Sequence, residues 1–187
     1  MKFRSVLLAL LWAAGAAALP AASQDGVPAL RGKPSPDEIA RALAKPEAPP
    51  VMLQRGIVLN PGAAAAPSAP AKRAIDLEVL FEFDSARLTA DGRDVLDSLG
   101  GALASKELAD VGRVTLEGHT DAKGSDAYND SLSLLRAQSA RQYLIQKHRI
   151  APGKVAAVGK GKSELADPRD PFGAANRRVR VVVEGQP

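Results

Sequence analysis

The sequence predicts a two-layer α/β sandwich in which a mixed four-stranded sheet, ordered βαβαββ along the chain, carries its helices on one face. From Ile75 onward the apolar residues switch between a spacing of two and a spacing of three to four, the periods of strand and helix. Strand–helix–strand units joined by right-handed crossovers then place successive helices on the same side of the sheet. A leader and a Pro/Ala-rich tether precede this domain, dividing the chain into 1–23, 24–74 and 75–187.

The first predicted strand is "IDLEVLFEF", where Ile75, Leu77, Val79, Phe81 and Phe83 alternate with Asp76, Glu78 and Glu82. Thr89 caps a helix whose Val95, Leu96, Leu99 and Leu103 share one face. "RVTLEGHT" is a second strand with Val114 and Leu116 inward. A long helix follows from about Asp126 to His148; its closing Lys147, His148 and Arg149 suit the negative end of the helix dipole. "KVAAVG" and "RRVRVVVE" are the third and fourth strands.

The leader, "MKFRSVLLALLWAAGAAALPAAS", has the parts of a secretory signal: Lys2 and Arg4, a short apolar run, and small residues before a cut after Ser23. A retained anchor is the competing reading, although the run is shorter than the roughly 20 residues of a membrane span. No membrane span is expected in the mature chain. Within the tether, "PGAAAAPSAP" (61–70) has no core-forming pattern. "SPDEIARAL" carries a capping-box signature and predicts a short helix near 36–44, marginal by itself. "VMLQRGIVL" (51–59) fits either a strand or a strip lying on the domain.

Composition removes several chemistries. The chain has no cysteine, which excludes disulfides, thiol catalysis, thiolate zinc sites and lipoprotein-type lipid attachment. The formal charge of +4 comes from the leader and tether; from Ile75 onward acidic residues slightly outnumber basic ones, a poor footprint for nucleic acid. "GKGKS" (159–163) imitates the end of a phosphate loop but lacks the earlier glycine, and reads as a strand-end turn. His119 has neither a nucleophile partner nor enough companions for a metal site. No catalytic residue, metal or cofactor is expected.

"GHTDAKGS" (118–125) ends the second strand with polar groups ahead of a tight turn. On the long helix, Leu132, Ala140, Tyr143 and Leu144 fall near one stripe with Arg136 among them, and a guanidinium at the edge of such a stripe needs a partner. Two readings satisfy this equally. Arg136 and Asp121 form an internal salt bridge, or they flank a gap that takes a ligand of both signs.

The stretches "FEFDSARLTADG", "GHTDAKGSDAYNDSLSLLRAQSARQYL" and "NRRVRVVVE" closely resemble the OmpA-like C-terminal domain, a non-catalytic peptidoglycan-binding module, over about residues 75–185. The resemblance implies that Asp121 and Arg136 clamp the diaminopimelate of the stem peptide. It also implies that Thr120 and Asn129 line the pocket, with Asp84 and Ser85 beside it. The sequence departs from the family pattern at Leu135 and Ala86, and Pro168, Pro171 and Phe172 give the loop before "NRRV" its own shape. The expected partner is therefore peptidoglycan, in the periplasm at the wall or outer membrane. The alternative is a module whose 35–60 segment docks another envelope protein.

Overall fold

The computed structural model describes residues 21–22, 26–44 and 72–185. The leader up to residue 20, the strip 51–59 and the Pro/Ala stretch 61–70 lie outside the described residues. One sheet is formed by β1 (Ala21–Ala22), β2 (Pro28–Leu30), β3 (Lys72–Leu77), β4 (Val111–His119), β5 (Val155–Gly161) and β6 (Val179–Gly185). Its spatial order is β1-β2-β3-β6-β4-β5. Strand β6 is antiparallel to both β3 and β4, and β4 runs parallel to β5. The four expected strands are thus present, with two short strands added at the β3 edge.

Helices α2 (Ala90–Leu103) and α3 (Asp126–His148) supply the second layer. Thr89 Oγ1 accepts the Gly92 N–H at 3.0 Å and Ser125 Oγ the Tyr128 N–H at 3.3 Å, each capping a helix as its sequence position dictates. Val95, Leu96, Leu99, Ala140 and Leu144 pack onto Ile75, Leu77, Leu116, Val179, Val181 and Val183 to form the core.

The segment expected to be a free tether is in part packed against the domain. Helix α1 (Pro36–Leu43) forms where the capping signature placed it, with Ser35 Oγ accepting the Glu38 N–H at 3.2 Å. Ile39 and Leu43 are fully buried, and Leu30 of β2 pairs in register with Leu77 of β3. Burying each large side chain contributes about 1.5–3 kcal/mol, which a helix this short needs in order to persist. A cut after Ser23 would remove β1 and leave β2 as the edge of the sheet.

The first strand ends earlier than its alternation suggests. Val79 remains buried, but Phe83 is 98% exposed rather than inward. Asp84 adopts the left-handed φ of 51°, and the chain doubles back so that Phe81 bridges Leu88 and the Glu82 N–H donates to the Arg87 carbonyl at 2.9 Å. Aspartate tolerates this conformation better than most residues. The turn carries Phe83 off the sheet.

The face of β3 away from the helices also differs from a simple solvated surface. Asp76 is only 3% exposed; Arg180 grips its Oδ1 through Nε at 2.8 Å and its Oδ2 through Nη2 at 3.3 Å, and Arg178 Nε lies 3.0 Å from Oδ2. A buried carboxylate survives because two guanidinia surround it.

Two glycines set how closely α3 approaches the sheet. Gly118 and Gly159 face each other across β4 and β5, and a Cβ on either would lie 2.2 Å from the Ser133 carbonyl oxygen or 2.8 Å from that of Asp130. Any side chain there would push the first half of α3 outward, and this half carries Asn129 and Arg136.

Candidate functional site

A cleft of about 820 Å³ opens between the C-terminal end of β4, the N-terminal half of α3 and the turn after β3. Its lining includes Asp84, Thr120, Asp121, Asn129 and Arg136, five of the six residues singled out from sequence. The sixth, Ser85, contributes its backbone, whose carbonyl oxygen accepts the Arg136 Nε–H at 3.0 Å.

The turn holding Asp121 is built from the helix side. Asn129 Nδ2 donates to the Lys123 and Ser125 carbonyls at 2.9 and 3.0 Å, spending both amide hydrogens on the loop. Ser133 Oγ accepts the Gly161 N–H at 2.9 Å, and the Gly161 carbonyl in turn accepts the Thr120 N–H at 2.8 Å. Asn129 therefore acts as a brace for the loop. Ser133, which the apolar stripe of the sequence passed over, is fully buried and ties the helix to the end of β5.

Asp121 and Arg136 share the cleft without bonding to each other. Asp121 Oδ2 accepts from Arg177 Nη1 at 3.0 Å, and its Oδ1 accepts the Lys123 N–H at 3.2 Å. Arg136 is half-buried, its guanidinium 5.2 Å from the centre of the Phe81 ring, a cation–π contact. Among the described residues its two Nη groups have no hydrogen-bond partner. Burial lowers its pKa from the ordinary value, and the positive charge of Arg177 adds to this; Tyr128, Asp121 and Asp84 act in the opposite direction. The internal salt bridge weighed for Arg136 and Asp121 does not form; Asp121 pairs with Arg177 instead. Arg177 lies in the quoted "NRRV" motif, but nothing local in the sequence told its role from that of Arg178, which faces Asp76 instead.

Other polar groups complete the cleft. The Tyr128 hydroxyl donates to Asp84 Oδ1, a hydrogen bond that raises the phenol pKa. Among the described residues, buried Thr120 Oγ1 has no hydrogen-bond partner. His119 does not line this cleft: its side chain is fully buried, with Nε2 4.0 Å from Glu117. Burial, together with the charges of Arg178, Arg180 and Lys160, pushes its pKa down to about 3. Among the described residues the cleft thus presents a guanidinium whose Nη groups are unbonded, a carboxylate held by Arg177, and a buried hydroxyl.

Residues 80–180, more than half of the chain, match the sequence model of the OmpA family. The chain belongs to the OmpA family. It is 35% identical over 114 residues to outer membrane porin F of Pseudomonas aeruginosa, covering 60% of this chain and 32% of that protein. It is 44% identical over 86 residues to outer membrane protein A of Shimwellia blattae, covering 46% of this chain and 35% of the other. The chain thus spans about a quarter to a third of the length of the curated relatives it matches. Among solved structures, the OmpA-like domain of FopA1 from Francisella tularensis shares the fold with a TM-score of 0.50 at 20% identity, covering 70% of this chain and 81% of that one. The periplasmic domain of Helicobacter pylori MotB does so with a TM-score of 0.53 at 19% identity, covering 62% and 84%. The matched relatives carry the names of outer-membrane proteins, and the MotB fragment is that protein's periplasmic domain. No helix among the described residues is long and apolar enough to cross a membrane.

Proposed function

We propose that this protein binds peptidoglycan without catalysis, through the diaminopimelate of the stem peptide, and so anchors or stabilises the envelope. The observation that carries this reading is Arg136, whose Nη groups lack partners at the wall of a cleft that Asp121 also lines. The free end of diaminopimelate carries an ammonium and a carboxylate on one carbon. A guanidinium fork takes the carboxylate with two parallel bonds, and an aspartate accepts from the ammonium. Each charge-assisted bond contributes about 1.5–3 kcal/mol net, enough for two to discriminate against stems with lysine at that position. Thr120 and Asp84 add hydrogen-bonding capacity at the same cleft, while Asn129 holds the loop in place.

The competing reading, a partner-docking module, requires an available apolar face on the 35–60 segment. In α1 that face is already buried against the domain through Ile39 and Leu43. Pull-down with purified sacculi tests the proposal. The protein is expected to sediment with diaminopimelate-type wall and to remain in solution with lysine-type wall; equal retention on both would overturn the reading.

A further inference from the structure

We propose that Phe83, Tyr128 and Phe172 form a sugar-stacking subsite at the mouth of the cleft, taking the glycan strand from which the stem peptide hangs. This inference rests on the wall-binding reading and adds a second part to its ligand. Phe83, Phe172 and Tyr128 are 98%, 63% and 45% exposed, and all three line the one cleft that holds Asp121 and Arg136. Of the five Phe and Tyr side chains among the described residues, Phe81 also lines it, which leaves only Tyr143 elsewhere. Exposed aromatic rings gathered at one site mark a surface that is covered in use.

The rings stand on two lips. Phe172 belongs to the side of Asp121: the Pro171 carbonyl accepts the Ala122 N–H at 2.9 Å, and the Phe172 carbonyl accepts from Arg177 at 3.5 Å. Phe83 precedes Asp84 on the opposite lip, where Tyr128 donates to that carboxylate. A ligand lying between the lips meets apolar ring faces at the rim and charged groups beneath. Pyranose rings have this two-sided character. Their axial C–H faces stack on aromatic planes, while their hydroxyl and amide groups project toward side chains such as Glu82 and Lys123, which also line the cleft. Size favours the same occupant. A volume of about 820 Å³ falls in the range of sites for ligands much larger than the end of one amino acid.

The test compares two soluble probes by calorimetry on the full chain: a diaminopimelate stem tripeptide, and the same stem carried on its N-acetylglucosamine–N-acetylmuramic acid disaccharide. The wild-type protein is expected to bind the disaccharide form about tenfold more tightly, the scale of one or two stacked rings. The double variant Phe83→Ala/Phe172→Ala should lose that advantage while keeping its affinity for the bare stem and its melting midpoint, since both side chains are exposed. Phe83→Trp/Phe172→Ala should restore part of the advantage. Equal affinity of the wild type for both probes, or an advantage unchanged in the double variant, would overturn the inference. Parallel loss of both probes would overturn it too, by assigning the rings to the peptide. Arg136→Lys reads the clamp separately: unchanged stem affinity there would refute the clamp without altering what the ring variants report.

Discussion

Two acid–arginine constellations sit in this domain, and their difference separates architecture from function. Asp76 is closed in by Arg178 and Arg180 on the face of the sheet away from the helices, with every partner within 3.3 Å and the three residues at most 7% exposed. Asp121 shares its cleft with two arginines but bonds only Arg177, itself half exposed; Arg136 is left with unused Nη groups. The first set is closed within the fold, its arginines also turning to Glu164. The second keeps capacity in reserve, where the Asp121–Arg177 pair is worth up to about 1 kcal/mol to the fold. Desolvated charge without full pairing is costly, and the proposed ligand would supply the missing partner in the second set.

Breaking the closed constellation should have the largest effect. Asp76→Asn leaves two buried guanidinia without their carboxylate and is expected to cost about 3–5 kcal/mol of stability. Chemical denaturation measures that loss, and sacculus binding should survive in the cold, where the variant is still folded. Selective loss of binding by a fully stable Asp76→Asn would erase the distinction between the two sites.

The open constellation should respond in the opposite way. Arg136→Lys keeps the charge but loses the planar fork, so its binding should fall nearly as far as that of Arg136→Ala, roughly ten- to hundredfold. Its melting midpoint should change little, because Arg136 gives the fold one hydrogen bond, to Ser85, and a ring contact with Phe81. Normal binding with a large drop in melting temperature would make Arg136 structural.

His119 sharpens the comparison by the smallest step. It lies beside the closed cluster, and its folded pKa of about 3 is well below the ordinary 6.5. Between these values the unfolded chain takes up a proton that the folded chain refuses. Stability is therefore highest above pH 6.5 and falls as pH drops toward 3, by at most about 1.4 kcal/mol per pH unit from this group. Unfolding measured from pH 7 to pH 4 should show a shallower decline in His119→Gln than in wild type. Identical slopes would remove His119 from the linkage.

Local reading reached far in this chain because the relevant signals are local. Ser35 and Thr89 cap helices by hydrogen bonds three residues along, and β4 buries Val114 and Leu116 between more exposed neighbours as its pattern requires. Asp121 and Arg136 were legible as a pair because one loop and one helix, adjacent in sequence, carry both. Phe83 misled for an equally physical reason: alternation continues in the letters through a turn that the left-handed Asp84 has already made. Asn129 was legible as part of the site, but its work as a brace depends on carbonyls that only the folded loop presents.

What the sequence by itself determined is the four strands β3 to β6, the helices between them, the order in which they alternate, and the presence of an acid and an arginine at one end of the sheet. Periodicity, capping and turn chemistry act within a few residues and need no distant partner. The tertiary structure alone decided that Arg180 rather than a nearer cation neutralises Asp76, that Arg177 and not Arg136 bonds Asp121, and that α1 lies on the domain. Each of these is a choice among chemically equivalent partners far apart in the chain. Packing makes that choice, by deciding which groups lose water together.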